Sequence, residues 1–268
     1  MTPMTAAQLL AHHDSGHLWP DELPAQAFGD LPQAYQQALA VRALRVARGE
    51  VPRGYKIGFT NRQIWERYRV WAPIWGPVWD SSLAFCEGQG TVSLAHTFQP
   101  RIEPELVFGL KSTPVPQADA QALFDAIAWV APGFEIVQSH RPGWRFTAPE
   151  TVADGALHAR LLVGERVPLQ RLAADASALN AMLSVATVQL QRDGADVEAG
   201  RGANVLDSPL LALLHFLAEL RACPGVPDLQ PGDVVTTGTW TDAWPVQPGQ
   251  TWQARFSDPL PPLSATFV

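Results

Sequence analysis

The chain has 268 residues, of which 47% are apolar and 17% are charged, and its formal net charge is −7. This composition excludes a disordered chain, because it is apolar enough to bury a core of ordinary size. The acidic balance and the lack of a basic patch predict no nucleic-acid binding.

The cysteines and the apolar segments bear on localisation. Cys86 and Cys223 form no CxxC pair, and residues 1–10 contain neither a basic stretch nor a long apolar run. The most apolar segment, residues 208–220, is interrupted by His215 and Glu219 and is too short to span a bilayer. We therefore expect a cytoplasmic protein without a membrane segment.

The first predicted elements are helical. Apolar residues recur with a helical period over residues 31–48, and Asn61 is predicted to cap a short helix that runs to Arg69. Residues 72–83 are rich in Trp and Pro and are predicted to be irregular. Residues 1–90 are therefore expected to form a helical N-terminal region.

Beyond residue 90 the pattern becomes that of strands. Asp193 and Gly194 form a hairpin turn signal, and Ser208 and Pro209 are typical of the start of a helix, here predicted to run to Arg221. Strands outnumber helices without a βαβ alternation, which predicts an α+β protein with a mixed or antiparallel core over residues 91–268. The predicted strands are 91–94, 103–110, 134–137, 156–163, 183–191, 233–239, 251–256 and 264–268.

Three glutamates are candidates for metal ligands. Glu103 and Glu105 lie two positions apart on a predicted strand and therefore point to the same face. Glu135 lies in an apolar run, where a carboxylate needs a partner. A hard divalent cation such as Mg²⁺ or Mn²⁺ would relieve the repulsion between these acids. A solvated strand face, with Glu135 paired to an arginine, is the alternative.

Lys56 is notable because arginine is the usual cation of this chain. Among 19 basic residues only Lys56 and Lys111 are lysines. A lysine can release a proton when its pKa is shifted, whereas arginine stays charged. Lys56 is therefore a candidate for proton transfer, with a chance surface lysine as the alternative.

Several segments together resemble one family. Their order and spacing from about residue 30 onward are similar to those of the 2-keto-4-pentenoate hydratase and 4-oxalocrotonate decarboxylase group of the fumarylacetoacetate hydrolase superfamily. The matching segments are 54–60, 100–105, 134–137, 151–155, 204–210 and 229–238.

The resemblance implies a β-sandwich roll core, like the C-terminal domain of fumarylacetoacetate hydrolase, after a helical N-terminal region. It also implies Mg²⁺ or Mn²⁺ on Glu103, Glu105 and Glu135, an active-site lysine at Lys56, and a homo-oligomer. The chain departs from the family at Gly155, where asparagine or serine is common, and across residues 77–83.

Further site residues follow from the matched segments and their surroundings. Asp80, which aligns only loosely, and Arg145 are candidate catalytic residues. The residues expected to bind substrate are Trp79, Arg101, Thr237 and Gly238.

The implied activity is that of a lyase. A hydratase would add water to a 2-hydroxy-2,4-dienoate and give a 4-hydroxy-2-oxo acid, in the catabolism of aromatic compounds. A 4-oxalocrotonate-type decarboxylase and a non-catalytic homologue acting as a structural partner are the alternatives. The tryptophans and the few cations near the matched segments predict an apolar, monocarboxylic substrate tail; the tryptophans are Trp71, Trp75, Trp79, Trp240 and Trp244.

Overall fold

The computed structural model describes residues 4–24 and 27–268, so part of the segment 1–10 considered above lies outside the described residues. The helices are α1 (Ala6–Ser15), α2 (Leu31–Ala47), α3 (Trp65–Tyr68), α4 (Ala120–Ala126), α5 (Ala148–Ala153), α6 (Ala176–Val185) and α7 (Pro209–Ala222). The strands are β1 (Pro52–Gly58), β2 (Ile74–Trp79), β3 (Leu83–Phe85), β4 (Gln89–Val92), β5 (Arg101–Leu110), β6 (Ile127–Val137), β7 (His158–Val163), β8 (Val167–Pro168), β9 (Thr187–Arg192), β10 (Ala195–Arg201), β11 (Val234–Thr236), β12 (Trp244–Pro245), β13 (Thr251–Phe256) and β14 (Leu263–Phe267).

Two mixed sheets organise the described chain. The larger sheet has the order β2-β1-β11-β5-β6-β7-β3, with β12 beside β5 and β8 beside β6. The smaller sheet has the order β10-β9-β13-β14-β4. The two long strands β5 and β6 are antiparallel and pair along nearly their whole length, which gives the centre of the larger sheet a rigid base.

One apolar core joins both sheets to α7. Phe134 of the larger sheet, Trp252 of the smaller sheet and Phe216 of α7 are fully buried in the same cluster. By length and composition a helical stretch, Gly202–Ala222, could cross a membrane, but 56% of its apolar window is buried inside the protein. Its apolar residues therefore serve as core contacts.

The predicted mixture of helices and sheets is confirmed, and several elements agree closely. The strand at 251–256 and the helix capped by Ser208 are as predicted, and Asn61 accepts a hydrogen bond from the backbone of Gln63 at 2.9 Å. The closer description of the core as a β-sandwich roll stays a prediction.

Two expectations were wrong. Residues 72–83 are not irregular, because β2 runs through them; it is the end strand of the path given above, and an edge strand tolerates Pro77. The strand predicted over 183–191 begins only at Thr187, since α6 continues to Val185 after its cap at Asp175.

The helical part of the N-terminal region is shorter than residues 1–90. The helices α1 and α2 end at Ala47, and their apolar faces pack with Ile74 and Val152 in a separate small core. The strands β1 to β4 belong to the two sheets. The division at residue 90 stays a proposal about how the chain is organised.

Candidate active site

Three glutamates meet on one face of the larger sheet. Glu103 on β5 lies directly opposite Glu135 on β6, and Glu105 follows two positions along β5. One carboxyl oxygen from each lies within 4.8 Å of the others. The side chains of Glu105 and Glu135 are fully buried, whereas Glu103 is half-buried and faces a cavity.

Glu105 is held by donors on one oxygen only. Its Oε2 accepts hydrogen bonds from the Gly238 backbone N–H at 2.7 Å and from the Thr236 hydroxyl. Its Oε1 is buried and has no hydrogen-bond partner within residues 4–24 and 27–268. Gly238 has a φ of 98°, and a Cβ there would lie 2.0 Å from Oγ1 of Thr60, so the close approach requires glycine.

Glu135 shows the same asymmetry. Its Oε1 accepts a hydrogen bond from Nδ1 of His158 at 2.8 Å. Nζ of Lys56 lies 3.1 Å from Oε2 as an ion pair, yet Oε2 makes no hydrogen bond to any described residue. The ammonium of Lys56 instead donates to the carbonyl oxygen of Ala156 at 3.0 Å.

Charges at this site shift one another's pKa values. Burial raises the pKa of Glu103 to about 7, although Lys56 acts in the opposite direction. Burial and the neighbouring acids raise the pKa of Glu105 well above its ordinary value. Burial also acts to raise the pKa of Glu135, but Lys56 and the His158 hydrogen bond outweigh it and lower the pKa.

The pKa of Lys56 moves upward. Burial alone would lower it, but Glu135, Glu103 and Glu105 together raise it above its ordinary value. Lys56 is therefore an ammonium at neutral pH, which suits a proton donor better than a base.

The residues present fit a divalent cation. Two buried carboxyl oxygens, Oε1 of Glu105 and Oε2 of Glu135, accept no hydrogen bond from the described residues, and only the second has a charged partner, Lys56. Burying polar oxygens without hydrogen bonds is costly. All the atoms of the three glutamates that could bind an ion are oxygens, which suits a hard ion. A cation would satisfy both free oxygens and offset the repulsion that raises the pKa of Glu105.

A cavity of about 1110 Å³ opens above Glu103 and Lys56. Its lining includes four arginines, Arg62, Arg67, Arg101 and Arg201, and three acids other than Glu103, namely Glu198, Asp207 and Asp242. Arg62 pairs with Asp207 at 2.6 Å, and the Arg101 guanidinium lies 4.3 Å from the ring centre of Trp144. The cavity is thus polar, with a mixed charge and an aromatic wall.

The remaining predicted residues fall in different places. Gly238 and Arg101 line the cavity. Thr237 is buried beside it and donates its hydroxyl to the Leu106 carbonyl. Arg145 is exposed and is not among the lining residues. Asp80 is also exposed, and its carboxylate accepts from the backbone N–H groups of Val51 and Ser81, so the structure does not bring Asp80 to the cavity.

The expectation that five tryptophans lie near the site needs correction. Trp240 and Trp244 line the cavity, but Trp75 and Trp79 are buried elsewhere and Trp71 is 74% exposed. Trp79 packs instead beneath the guanidinium of Arg45. The premise that few cations lie near the site was also wrong, because it overlooked Arg62, Arg67 and Arg201, which come from segments that are distant in the sequence.

Sequence reasoning missed two groups that hold the carboxylates, His158 and Thr236. The histidines of the chain show no spacing typical of a metal site, and His158 acts here through a hydrogen bond to Glu135 on the neighbouring strand. Thr236 lay inside a matched segment but carried no signal beyond strand propensity. The pairing of β6 with β5 and β7 brings His158 to the cluster, and the pairing of β5 with β11 brings Thr236 there.

Comparisons with known proteins bear on the fold and on the family of the chain. No family model matches the chain. Solved structures of the fumarylacetoacetate hydrolase type share its fold over 81% of the chain, with TM-scores of 0.56 to 0.58 at 16% identity. The 4-oxalocrotonate decarboxylase from Pseudomonas putida G7, solved with magnesium and adipate, matches over all of both chains with a TM-score of 0.82 and 26% identity.

Curated relatives define the family more closely. A 4-oxalocrotonate decarboxylase from a Pseudomonas species is 31% identical over 84% of this chain and 84% of its own length. A 2-keto-4-pentenoate hydratase from Burkholderia vietnamiensis (strain G4 / LMG 22486) is 31% identical over 90% of this chain and 87% of its own. The fold and these relatives define an enzyme of the lyase class. Within it, the chain belongs to the 2-keto-4-pentenoate hydratase and 4-oxalocrotonate decarboxylase group.

Proposed function

We propose that the chain is a cytoplasmic, divalent-metal-dependent hydratase in the catabolism of aromatic compounds. It would add water to a 2-hydroxy-2,4-dienoate and give a 4-hydroxy-2-oxo acid. The observation that carries this proposal is the cluster of Glu103, Glu105 and Glu135 beside the ammonium of Lys56, at the floor of an open cavity. A homo-oligomer is part of the proposal.

Mg²⁺ or Mn²⁺ is the proposed cofactor. Glu103, Oε1 of Glu105 and Oε2 of Glu135 would hold it, since one carboxyl oxygen from each glutamate lies within 4.8 Å of the others and the two oxygens of Glu105 and Glu135 accept no hydrogen bond from the described residues. When bound, such a cation supplies Lewis-acid stabilisation to the negative charge of an enolate.

Lys56 is the proposed proton donor. Its raised pKa keeps the ammonium protonated at neutral pH, and its hydrogen bond to Ala156 fixes where Nζ lies. A 2-hydroxydienoate must take up a proton on carbon before water can add to the enone. An ammonium that borders the cavity is suited to that step.

The cavity lining bears on the substrate carboxylate and tail. Arg101 faces the cavity near Glu103 and is the proposed partner of the substrate carboxylate. Further out, Glu198, Asp207 and Asp242 offset much of the positive charge of the other arginines. This balance of charge favours a substrate with a single carboxylate. Because the decarboxylase substrate is a diacid, it also favours hydration.

Decarboxylation is the second candidate, and a specific observation favours it. Arg67 and Arg201 line the cavity and have no salt-bridge partner among the described residues. Either arginine could bind the second carboxylate of a diacid. In that reaction the conjugated 2-oxo group would accept the electron pair left when CO₂ departs and become a dienolate, and the same glutamates and Lys56 would serve.

Product analysis separates the candidates. We would compare kcat/KM for 2-hydroxypenta-2,4-dienoate and for an oxalocrotonate-type diacid, and measure CO₂ release alongside NMR of the products. Hydration of the monoacid with little CO₂ supports the proposal. A clear advantage for the diacid with CO₂ as the main product would replace hydratase by decarboxylase. If neither substrate reacts and calorimetry detects no Mn²⁺ binding, the chain is a non-catalytic structural partner.

A further inference from the structure

A line of hydrogen bonds leads from Glu135 away from the cavity. Nδ1 of His158 lies 2.8 Å from Oε1 of Glu135, and Nε2 of the same ring lies 2.8 Å from Oγ of Ser82. The Ser82 oxygen accepts in turn from the backbone N–H of Trp79 at 3.1 Å. All these groups are buried, so water does not compete with them.

The direction of these bonds follows from the chemistry of the end groups. The Glu135 carboxylate only accepts, so Nδ1 of His158 must carry the proton. With that proton on Nδ1, Nε2 of the ring is left as an acceptor. The Ser82 hydroxyl therefore donates to Nε2, which is closer to it than its other acceptor, the Trp79 carbonyl at 3.1 Å.

We propose that His158, supported by Ser82, is a positioning residue that holds Glu135 as a one-oxygen ligand and thereby selects a small cation over calcium. The inference rests on the proposed function, because it assumes that Glu135 binds a cation. His158 occupies Oε1, which leaves Oε2 for the ion. His158 itself touches neither ion nor substrate in this arrangement.

Glu105 reinforces the same restriction from the other side of the cluster. Gly238 and Thr236 occupy its Oε2, which leaves Oε1 alone for the ion. Calcium takes six to eight oxygens and often binds carboxylates through both oxygens, whereas Mg²⁺ takes about six ligands in a compact octahedron. Two glutamates that each offer a single oxygen suit the smaller ions.

Calorimetric titration with Mn²⁺ and with Ca²⁺ tests the proposal. We expect His158→Leu to lower Mn²⁺ affinity by roughly 10- to 100-fold, as is usual when a residue behind a metal ligand is lost. Ca²⁺ affinity should fall much less, because the freed Oε1 allows two-oxygen binding. His158→Asn should recover part of the Mn²⁺ affinity and preference, since its amide N–H can approach Oε1 from a similar position.

Two further variants guard against a purely structural explanation. His140→Leu removes another buried histidine, one that pairs with Asp154 rather than with the cluster, and should lower stability without changing the Mn²⁺ to Ca²⁺ affinity ratio. Ser82→Ala should lower that ratio less than His158→Leu does, and it serves as the test if the leucine variant does not fold.

The outcomes separate this inference from the proposed function. Suppose that the unaltered protein binds Mn²⁺ and that its ratio of Mn²⁺ to Ca²⁺ affinity is the same as that of the His158 and Ser82 variants. The positioning role is then wrong and the metal site stands. If the unaltered protein binds neither ion, both proposals are overturned. A ratio that falls in His158→Leu, recovers in His158→Asn and stays constant in His140→Leu supports the positioning role.

Discussion

The ammonium of Lys56 donates a hydrogen bond of 3.0 Å to the carbonyl oxygen of Ala156, a residue that is 100 positions away in the sequence. Ala156 lies in a run of three left-handed residues, with φ values of 64° at Gly155, 55° at Ala156 and 67° at Leu157. Left-handed backbone costs a non-glycine residue about 1–2 kcal/mol. The surrounding packing therefore holds a strained turn whose carbonyl fixes the position of Nζ.

The first prediction concerns the metal ligands. Glu105→Ala and Glu135→Ala should each abolish measurable Mn²⁺ binding, because each removes one of the two buried oxygens of the cluster that accept no hydrogen bond from the described residues. Calorimetry on the purified variants measures this directly. The exposed Glu165 offers a control, since Glu165→Ala should bind Mn²⁺ as the unaltered protein does. Unchanged binding in both cluster variants would remove the assignment.

Lys56 gives the second prediction. Lys56→Met should fold and lower kcat by about 100- to 10,000-fold, the usual contribution of a positioned proton donor. Lys111 is the other lysine of the chain and is exposed, so Lys111→Met is a matched control that should keep the original rate. Near-original rates in both Lys56→Met and Lys56→Arg would mean that neither its proton nor its charge is needed.

The third prediction concerns Arg101. If its guanidinium binds the substrate carboxylate, Arg101→Gln should raise KM about tenfold and change kcat less, because the contact is present in ground state and transition state alike. Steady-state kinetics on the preferred substrate distinguish the two parameters. Arg255→Gln, on the exposed side of β13, should leave both parameters unchanged. A large fall in kcat with constant KM would instead assign Arg101 to the chemical step.

Stability should depend on pH through His13. Burial, with His140 acting in the same direction, lowers the pKa of His13 from 6.5 to about 3. The folded protein thus keeps this ring neutral while the unfolded chain takes up a proton, so stability is lost as pH falls from about 6.5 towards 3. His13→Gln should therefore show a smaller fall in Tm between about pH 7 and pH 5 than the unaltered protein.

Thermal denaturation followed by circular dichroism at several pH values provides the measurement. His215→Gln, which alters an exposed histidine of α7, should follow the unaltered protein. Burial acts to lower the pKa of the neighbouring His140 as well, but Asp154 outweighs it and raises the pKa, so His140 contributes in the opposite direction. The His13 variant isolates one contribution, and identical pH profiles for it and the unaltered protein would contradict the prediction.

Local patterns predicted those parts of the site that depend on one segment. The alternation along β5 was enough to place Glu103 and Glu105 on one face, and the apolar surroundings of Glu135 indicated that it needs a partner. The hydrogen bond from His158 and the approach of Ala156 to Lys56 depend on pairing between distant segments, which no short pattern encodes. Pro77 misled the prediction for β2 because its tolerance depends on the position of the strand in the sheet.

The donor that Gly238 provides to Glu105 is a main-chain N–H, so it does not depend on the side chains that line the cavity mouth. During evolution, the residues around the cavity mouth can be replaced by others of different charge and size while this hydrogen bond persists, provided that position 238 remains glycine. The shape of the cavity mouth and the support of Glu105 are therefore free to diverge separately within such a lineage. Two descendants could have differently shaped cavities and still hold the Glu105 carboxylate alike.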